Sequence, residues 1–462
     1  MPQPALSVQL GLDPSSFGNS YFVLDDPLRG VLDNLSYTLG GTWFTDISSY
    51  VKQVTISRGK SRELDRFQTG SATISLKNQD RTFDPTQAAS PLYPNIVPRK
   101  QMNIYAGGSA VFSGLVDDWN LAYDVGGQSD AVAICVDGFA VLSKQALSLA
   151  TATSQASGAR ISAVLSKSEV AWPSSTRAID TGQQTLQADV IAQNTNVLEY
   201  LQLVESTEAG SFFISSAGNA TFKDRNTASV VGSVAFADDG TGIPFVGVEV
   251  TYGTELLYNR VNVTRVGGAT QTASSTDSIA LYGINTLDQS GLLTDTDANA
   301  LALANYLVGQ YAQPELRFDT ITIELSSLGT ADQASVLALD LTNVVTMKFT
   351  PNPPTSTTDA YTTAGTASYG TAAITPQVLS TSSAQRKSMV GGTALGQTTA
   401  SSSSISSAPQ IRQYCEIIGI DHEIQPGSHR VRFKLAATYG VAFILDSSVY
   451  GKLNDPTVVL GF

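Results

Sequence analysis

Ser71-Ala-Thr-Ile-Ser-Leu-Lys77 places Ala72, Ile74 and Leu76 at every second position, with Ser71, Thr73, Ser75 and Lys77 between them. Side chains of an extended strand alternate between its two faces, so this heptapeptide puts one apolar face on a core and one polar face in water. Asn78-Gln-Asp-Arg81 then marks a turn, and Phe83-Asp-Pro85 a second stop. Working outward, β texture begins at Trp43. Asp117, Trp119, Leu121 and Tyr123 share another strand face, Gly126-Gly127 interrupts it, and Ala131 to Val136 is mostly apolar. Strands at this spacing predict a small barrel or sandwich over 42–145. Upstream, residues 1–41 mix Gly, Pro and Asp with scattered aromatics and predict an extended arm.

The texture changes between 146 and 244. Ile161, Val164 and Leu165 fit a short helix after Gly158. Asn196-Val-Leu-Glu199 has capping-box spacing, in which the Asn accepts a free backbone N–H and the Glu reaches back. Val197, Tyr200, Leu201 and Val204 then line one helical face, and Gly210 is placed to end the helix in a left-handed conformation. Phe212–Ile214 and Thr221–Phe222 around Ala217-Gly-Asn219 read as a hairpin. This region is an α+β domain.

From Phe245 to about residue 440 β patterning returns. Val248 and Val250 are followed by Asn259-Arg-Val-Asn-Val263, and Ile321, Ile323 and Leu325 alternate with Thr320, Thr322 and Glu324. A helix over 297–311 carries the stripe Ala300, Leu303, Ala304, Leu307 and Tyr311, and Pro314 stops it. Val431, Phe433 and Leu435 against Arg430, Arg432 and Lys434 form the cleanest strand of the chain. Between them, 351–411 is a tract of Ser, Thr, Ala and Gly that cannot bury enough surface to offset its ordering entropy. It is expected to be an inserted loop, and 441–462 a C-terminal extension. The fold class is therefore α+β and β-dominated.

Composition removes most enzyme classes. The 462 residues hold 27 Lys and Arg against 40 Asp and Glu, a formal net charge of −13, which repels phosphate backbones and disfavours duplex DNA as a stable partner. Apolar stretches such as Val441–Leu445 and Ala131–Val136 are far shorter than the roughly 20 residues a bilayer helix needs, so no stable membrane insertion is expected. The first basic residue is Arg29, so no cationic signal segment is read and synthesis in the cytoplasm is expected. Cys135 and Cys415 are the only cysteines and His422 and His429 the only histidines. One long-range disulfide is the most they allow, and no CxxC or HExxH spacing exists for zinc.

Three motifs have bland explanations. Gly391-Gly-Thr-Ala-Leu-Gly-Gln-Thr398 nearly matches a phosphate loop, but Gln397 replaces its lysine and no predicted strand leads into it. Asp295-x-Asp297-x-Asn299 opens like a calcium loop, yet Ala300 and Tyr306 stand where Gly and Glu are required; acidic groups at a helix start explain it better. His422 lies on the apolar strand face Ile418, Ile420, Ile424, where a hydrogen-bonded core or interface histidine is expected. The basic run Arg58, Lys60, Arg62, Arg66, interleaved with Glu63 and Asp65, is either a solvated turn face or a charged contact to an acidic neighbouring subunit. No GxSxG elbow is present, and no cofactor, metal or catalytic residue is nominated.

The order of several short pieces resembles minor tail proteins of siphophages, the baseplate or tail-tip hub family of actinobacteriophage type. They are Phe22–Asp33, Val54-x-Ile56-x-Arg58-Gly59, Leu64-Asp-x-Phe67-x-x-Gly70-x-Ala72 and Leu76-x-Asn78-x-Asp80-x-x-Phe83-Asp-Pro85. Phe112-x-Gly114, Asp137-Gly-Phe139, the Asn196 helix, Asp224-Arg225, Asn259-Arg-Val261 and Ser278-Ile-x-x-Tyr282-Gly283 follow in order. Gly419-Ile-Asp-His422 and Pro426-Gly-x-His429 complete the series.

The resemblance implies two tube-like β-barrel domains, 42–145 and 245–440, flanking the α+β domain. It further implies a structural, non-enzymatic homotrimer that adapts a sixfold tail tube to a threefold tip and lines the DNA exit channel, with DNA only in transit. Expected partners are a second and third copy, the distal tail protein ring, other tail-tip or fibre proteins, and the tape-measure protein C-terminus. The location is the virion tail tip, after assembly in the host cytoplasm. Asn259 and Arg260 join the basic run as interface candidates. Many members carry a peptidase or lysozyme-like extension that this sequence lacks, so no wall-degrading activity is expected. The alternatives are a hexameric distal tail ring protein, a cell-wall hydrolase and a host-receptor-binding tail protein.

Overall fold

The computed structural model describes residues 2–12, 44–124, 129–226, 231–314, 316–351 and 410–438. The Phe22–Asp33 motif, the 391–398 glycine loop, nearly all of the 351–411 insertion and the 441–462 extension lie outside them.

In chain order the principal strands begin with β1 (Leu6–Gly11), β2 (Phe44–Asp46), β3 (Val51–Gly59), β4 (Gln68–Lys77), β5 (Gln101–Ala106), β6 (Ser109–Tyr123) and β7 (Ser129–Val136). Helices α1 (Gly138–Leu142), α2 (Ser157–Leu165) and α3 (Val197–Glu208) follow, then the hairpin β8 (Ser211–Ile214) and β9 (Ala220–Lys223). Next come β10 (Val231–Ala237), β11 (Gly247–Tyr252), β12 (Arg260–Arg265), β13 (Gln271–Ser274), α4 (Thr276–Tyr282), β14 (Thr286–Leu292) and α5 (Asp297–Tyr311). The chain continues through β15 (Leu316–Glu324), α6 (Thr330–Leu337), β16 (Val344–Phe349), β17 (Ile411–Gln425) and β18 (Ser428–Thr438).

One large sheet dominates, in the order β11-β15-β18-β17-β3-β4-β7-β6-β5-β1-β2, with β16 joining β17 and β10 at the side. Every pairing along that path is antiparallel. This overturns the two tube-like barrels implied over 42–145 and 245–440. Closing the first would require a strand of its own region on the free edge of β3. That edge is taken instead by β17, from Gly419↔Gly59 to Ile424↔Val54. The two β regions therefore fuse into an open sheet whose ends, β11 and β2, do not meet. Part of the second region leaves the sheet altogether: β12 pairs antiparallel with β13 and parallel with β14. Val261, Val263, Ala273 and Leu292 of these strands pack on Ala300, Leu303, Ala304 and Leu307 of α5.

Local chemistry explains the elements. Val8 and Leu10 are fully buried and alternate with Ser7 and Gln9, so Leu6–Gly11, within the stretch read as an arm, is a strand between β5 and β2. The heptapeptide at 71–77 lies in β4, with Ala72, Ile74 and Leu76 buried. Asn196 caps α3 by accepting from the Glu199 backbone N–H at 3.2 Å. The left-handed residue that ends α3 is Ala209 (φ 54°) rather than Gly210. Gly210 is needed one residue later, because a Cβ there would lie 2.5 Å from the Lys223 carbonyl oxygen.

Candidate functional site

The junction between the two halves of the sheet is built by backbone that admits no side chain. Gly59 ends β3 with φ +102°, and a Cβ on it would sit 2.3 Å from the Ile418 carbonyl oxygen. Its partner Gly419 would place a Cβ 2.8 Å from the Lys60 carbonyl oxygen. Both strands carry register shifts here, between Ser57 and Gly59 and between Ile417 and Gly419, as expected where a bulge bends a strand. Arg58 points inward beside this pair and is 4% exposed. Its Nη2 donates to the Ile214 carbonyl at 3.0 Å and to Asp340 Oδ1 at 2.7 Å. Asp340 Oδ2 in turn accepts from the Ser216 N–H at 2.8 Å. Arg58 thus ties β3 to the β8–β9 hairpin and to the loop after α6.

Beyond Gly59 the β3–β4 connection forms one wall of a cavity of about 200 Å³, with α3, α5 and β17 supplying the others. Lys60 Nζ donates to the Glu63 carbonyl at 2.6 Å and lies 5.0 Å from the Phe67 ring centre. Tyr311 of α5 donates its hydroxyl to Glu63 Oε1 at 2.8 Å. Glu205 of α3 is 6% exposed; its Oε1 accepts from the Phe212 N–H at 3.1 Å, and its Oε2 has no hydrogen-bond partner among the described residues. Burial pushes Glu205 up to about 7 against the opposing pull of that hydrogen bond and of Lys60 and Arg66. Burial likewise pushes Glu416 of β17 up to about 7, with Lys60 pulling it down and Glu63 adding to the rise.

The remaining interface candidates are dispersed. Arg62 is exposed and paired with exposed Glu255 at 2.9 Å; Arg66 is exposed on the cavity rim, and Arg260 is exposed on β12. Asn259 is fully buried. It donates to Ser278 Oγ at 3.1 Å and to the Gly283 carbonyl at 2.7 Å, and accepts from the Asn285 N–H at 2.8 Å, so it clamps both ends of α4 to β12. The structure brings Arg58 and Lys60 to the junction and leaves Asn259 and Arg260 apart from it. Glu205 and Glu416 were not nominated from sequence. The signal for Glu205 was present, since it extends the stripe Val197, Leu201 by a further i+4 step onto the buried face.

Other motif residues serve the fold. Asp137 caps α1 through the Phe139 N–H at 2.9 Å and accepts from the Gly70 N–H at 2.7 Å. Thr296 caps α5, and Asp295 and Asp297 bond Asn299 and Arg265. His422 Nδ1 and His429 Nε2 are 3.1 Å apart and buried. Burial pushes His422 well below the usual histidine range and His429 down to about 4, so the pair is neutral. Cys135 and Cys415 are buried and unbridged. Among the described residues no three His, Cys, Asp or Glu side chains group to hold a metal, and no helix is long and apolar enough to cross a membrane.

The buried carboxylates make stability depend on pH. A carboxyl held above its unfolded value contributes stability in full below the unfolded pKa and loses it as pH rises through the folded one. For Glu205 that window runs from about 4.5 to about 7. Glu205→Gln keeps the acceptor for Phe212 and removes the ionisation. It is expected to match the wild type at pH 4.5 and to exceed it by on the order of 2–3 kcal/mol at pH 8. Urea unfolding of both proteins at the two pH values checks this, and an equal difference at both would refute the assignment. Asp137 and Glu416, also pushed up to about 7 by burial, and the histidine pair contribute equally to both proteins and cancel in the comparison.

No protein-family model matches the sequence, and no curated protein matches it. Solved structures do. A 43 kDa tail protein of prophage MuSo2 from Shewanella oneidensis is similar over 86% of this chain and 96% of its own, at 11% identity and a TM-score of 0.51. A tail protein from Neisseria meningitidis MC58 is similar over 95% of this chain and 97% of its own, at 9% identity and a TM-score of 0.53. At these identities the likeness is one of fold.

Proposed function

We propose that the chain is a structural, non-enzymatic component of a phage tail, acting as a homotrimeric hub at the distal end of the tail tube. The observation that carries this reading is the fold shared, over nearly the whole length of all three chains, with two proteins described as tail proteins. The open sheet supplies a physical reason for assembly. Its terminal strand β11 has no neighbour on its outer edge among the described residues; Val246 just before it and Tyr252 at its end are 68% and 67% exposed. An uncovered edge with apolar side chains is a template for another chain. Three copies joined through such edges would surround a channel, and the net negative charge suits one that DNA must traverse without sticking. Lys60, Arg62, Arg66 and Arg260 are the proposed charged contacts to neighbouring subunits, which would include the distal tail ring and other tip or fibre proteins.

Averaged electron-microscope images of intact particles, with this chain located by antibody, are expected to show three copies at the tail tip. Six copies in a ring one layer higher would replace the hub by the distal ring protein. Val248→Pro probes the edge itself. Thr322 turns its carbonyl toward β11, where it accepts the Val246 N–H, so its registered partner Gly247 faces inward and by alternation the N–H of the next residue, Val248, faces outward. The variant is expected to keep its circular dichroism and to lose the trimer in native mass spectrometry; a retained trimer would show that β11 is not the joining edge.

A further inference from the structure

The only two histidines of the chain meet beneath its surface. His422 of β17 and His429 of β18 are 6% and 0% exposed, on the buried face of the hairpin that turns at Pro426-Gly427. His422 stands opposite Ile56 of β3 and Val431 of β18, and His429 opposite Ile424. The facing nitrogens, His422 Nδ1 and His429 Nε2, are 3.1 Å apart and share one hydrogen. The outer nitrogen of His429, Nδ1, is buried without a hydrogen-bond partner among the described residues. A hydrogen there would be a buried donor with nothing to accept it, which native structures avoid. His429 therefore donates from Nε2 to His422, whose own hydrogen sits on its Nε2. The basic nitrogen left in the pair is His429 Nδ1, and a proton has no acceptor there until the hairpin end opens.

Burial disfavours charge on both rings. Beyond it, His429 and Arg58 of β3 oppose a proton on His422, and Glu324 of β15 favours one on His429. Glu324 is already engaged, accepting from the His429 backbone N–H and the Ser428 hydroxyl, each at 3.0 Å. Ser326 and Gln3 supply uncharged contacts; Gln3 accepts from the Gly427 N–H at 2.8 Å and donates to the Ser428 carbonyl at 3.3 Å. Asp421, Glu423 and Arg430 alternate onto the other face of the sheet. We propose that the histidine pair is an acid-operated latch. Neutral, it holds the hairpin end among β3, β15 and the N-terminal segment; protonated, it frees that end and bares the β3 edge from Val54 to Arg58, which residues 420–424 cover. The latch is a property of the single chain, so it and the tail reading can fail separately.

A histidine held below its unfolded pKa of about 6.5 contributes stability in full above that value and loses it as pH falls toward the folded one, about 4 for His429. Opening that exposes one such residue is therefore favoured about 30-fold more at pH 5 than at pH 7.5. Asp137, Glu205 and Glu416 act in the opposite sense, since carboxyls held up near 7 stabilise the fold on acidification. Glu324, held below the usual carboxylate range, stays ionised at pH 5. Hydrogen exchange of the full chain, read by mass spectrometry at both pH values and corrected for intrinsic rates, is the test. Protection of peptides within 51–59 and 418–432 is expected to fall by at least about 30-fold, and that of β5 and β6 by less than about threefold. His422→Gln combined with His429→Gln should abolish the difference, and each single variant should show a smaller fall than the wild type. Should the double variant be unprotected already at pH 7.5, the single variants decide by the same comparison. No fall in the wild type, a uniform fall across the sheet, or variants that fall as far as the wild type would overturn the proposal.

Discussion

Replacing Gly59 by alanine is expected to cost more than about 4 kcal/mol, a large part of the 5–15 kcal/mol by which whole domains are stable. Two penalties coincide. The residue holds φ +102°, where a Cβ is strained, and that Cβ would lie 2.3 Å from the Ile418 oxygen and 2.7 Å from Gly419 Cα, both backbone atoms. Relief requires β17 to move away from β3, and among the described residues the two β regions share no other direct pairing in the sheet order. Gly419→Ala should be milder, because the closest atom, Lys434 Cδ at 2.8 Å, belongs to a flexible side chain while the Lys60 oxygen at 2.8 Å does not; overpacking of this kind costs about 1–3 kcal/mol. Gly427→Ala is the control. It has φ +88° with nothing within 4 Å, so only the conformational strain of about 1–2 kcal/mol remains. Soluble yield and urea midpoints should fall in the order 427, 419, 59. If the Gly59 variant unfolds with the Gly427 variant, the described junction is wrong.

The same junction shows what the sequence could reveal. Val54-x-Ile56-x-Arg58-Gly59 and Gly419-Ile-Asp-His422 are recognisable as separate motifs, and the structure lays one against the other, Ile56 facing His422 and Gly59 facing Gly419. Other pairs behave alike: Gly70 bonds Asp137, Asn259 bonds Ser278 and Gly283, and Arg225 bonds Glu208. The ordered motifs are therefore places where the fold is stapled. Alternation and capping, which are local, made β4, β18, α3 and α5 legible. Whether strands close into barrels is not local. Period-2 patterning says which face is buried and is silent about which strand borders which, so an edge of β3 satisfied by a strand more than 350 residues later (Ser57 bonds Asp421 across 364 positions) had no signature. The cavity carboxylates were hidden for a related reason, since their environment is made by four elements from across the chain.

Arg58 separates an internal role from an interface role. Its guanidinium is 3% exposed and its partner Asp340 22% exposed, so each partner removed alone strands the other in a poorly solvated place. Asp340→Ala is expected to be the more damaging, about 3–5 kcal/mol, because it leaves the more buried charge with only the Ile214 carbonyl and also removes the acceptor for the Ser216 N–H. Arg58→Met should cost less, about 2–3 kcal/mol, since Asp340 keeps backbone donors from Ser216 and Leu341. In the double variant Arg58→Met with Asp340→Ala no charge is stranded, and a buried pair replaced on both sides costs less than the two single losses together. The double-mutant cycle should then show a coupling of at least about 2 kcal/mol. Urea unfolding of all four proteins at one fixed concentration measures it, because assembly would otherwise shift apparent stability by mass action. An Arg58 that serves a neighbouring subunit predicts the opposite pattern: unchanged unfolding of the single chain, no coupling to Asp340, and a weakened trimer. The buried pair predicts that trimer loss, where it occurs, follows loss of the fold.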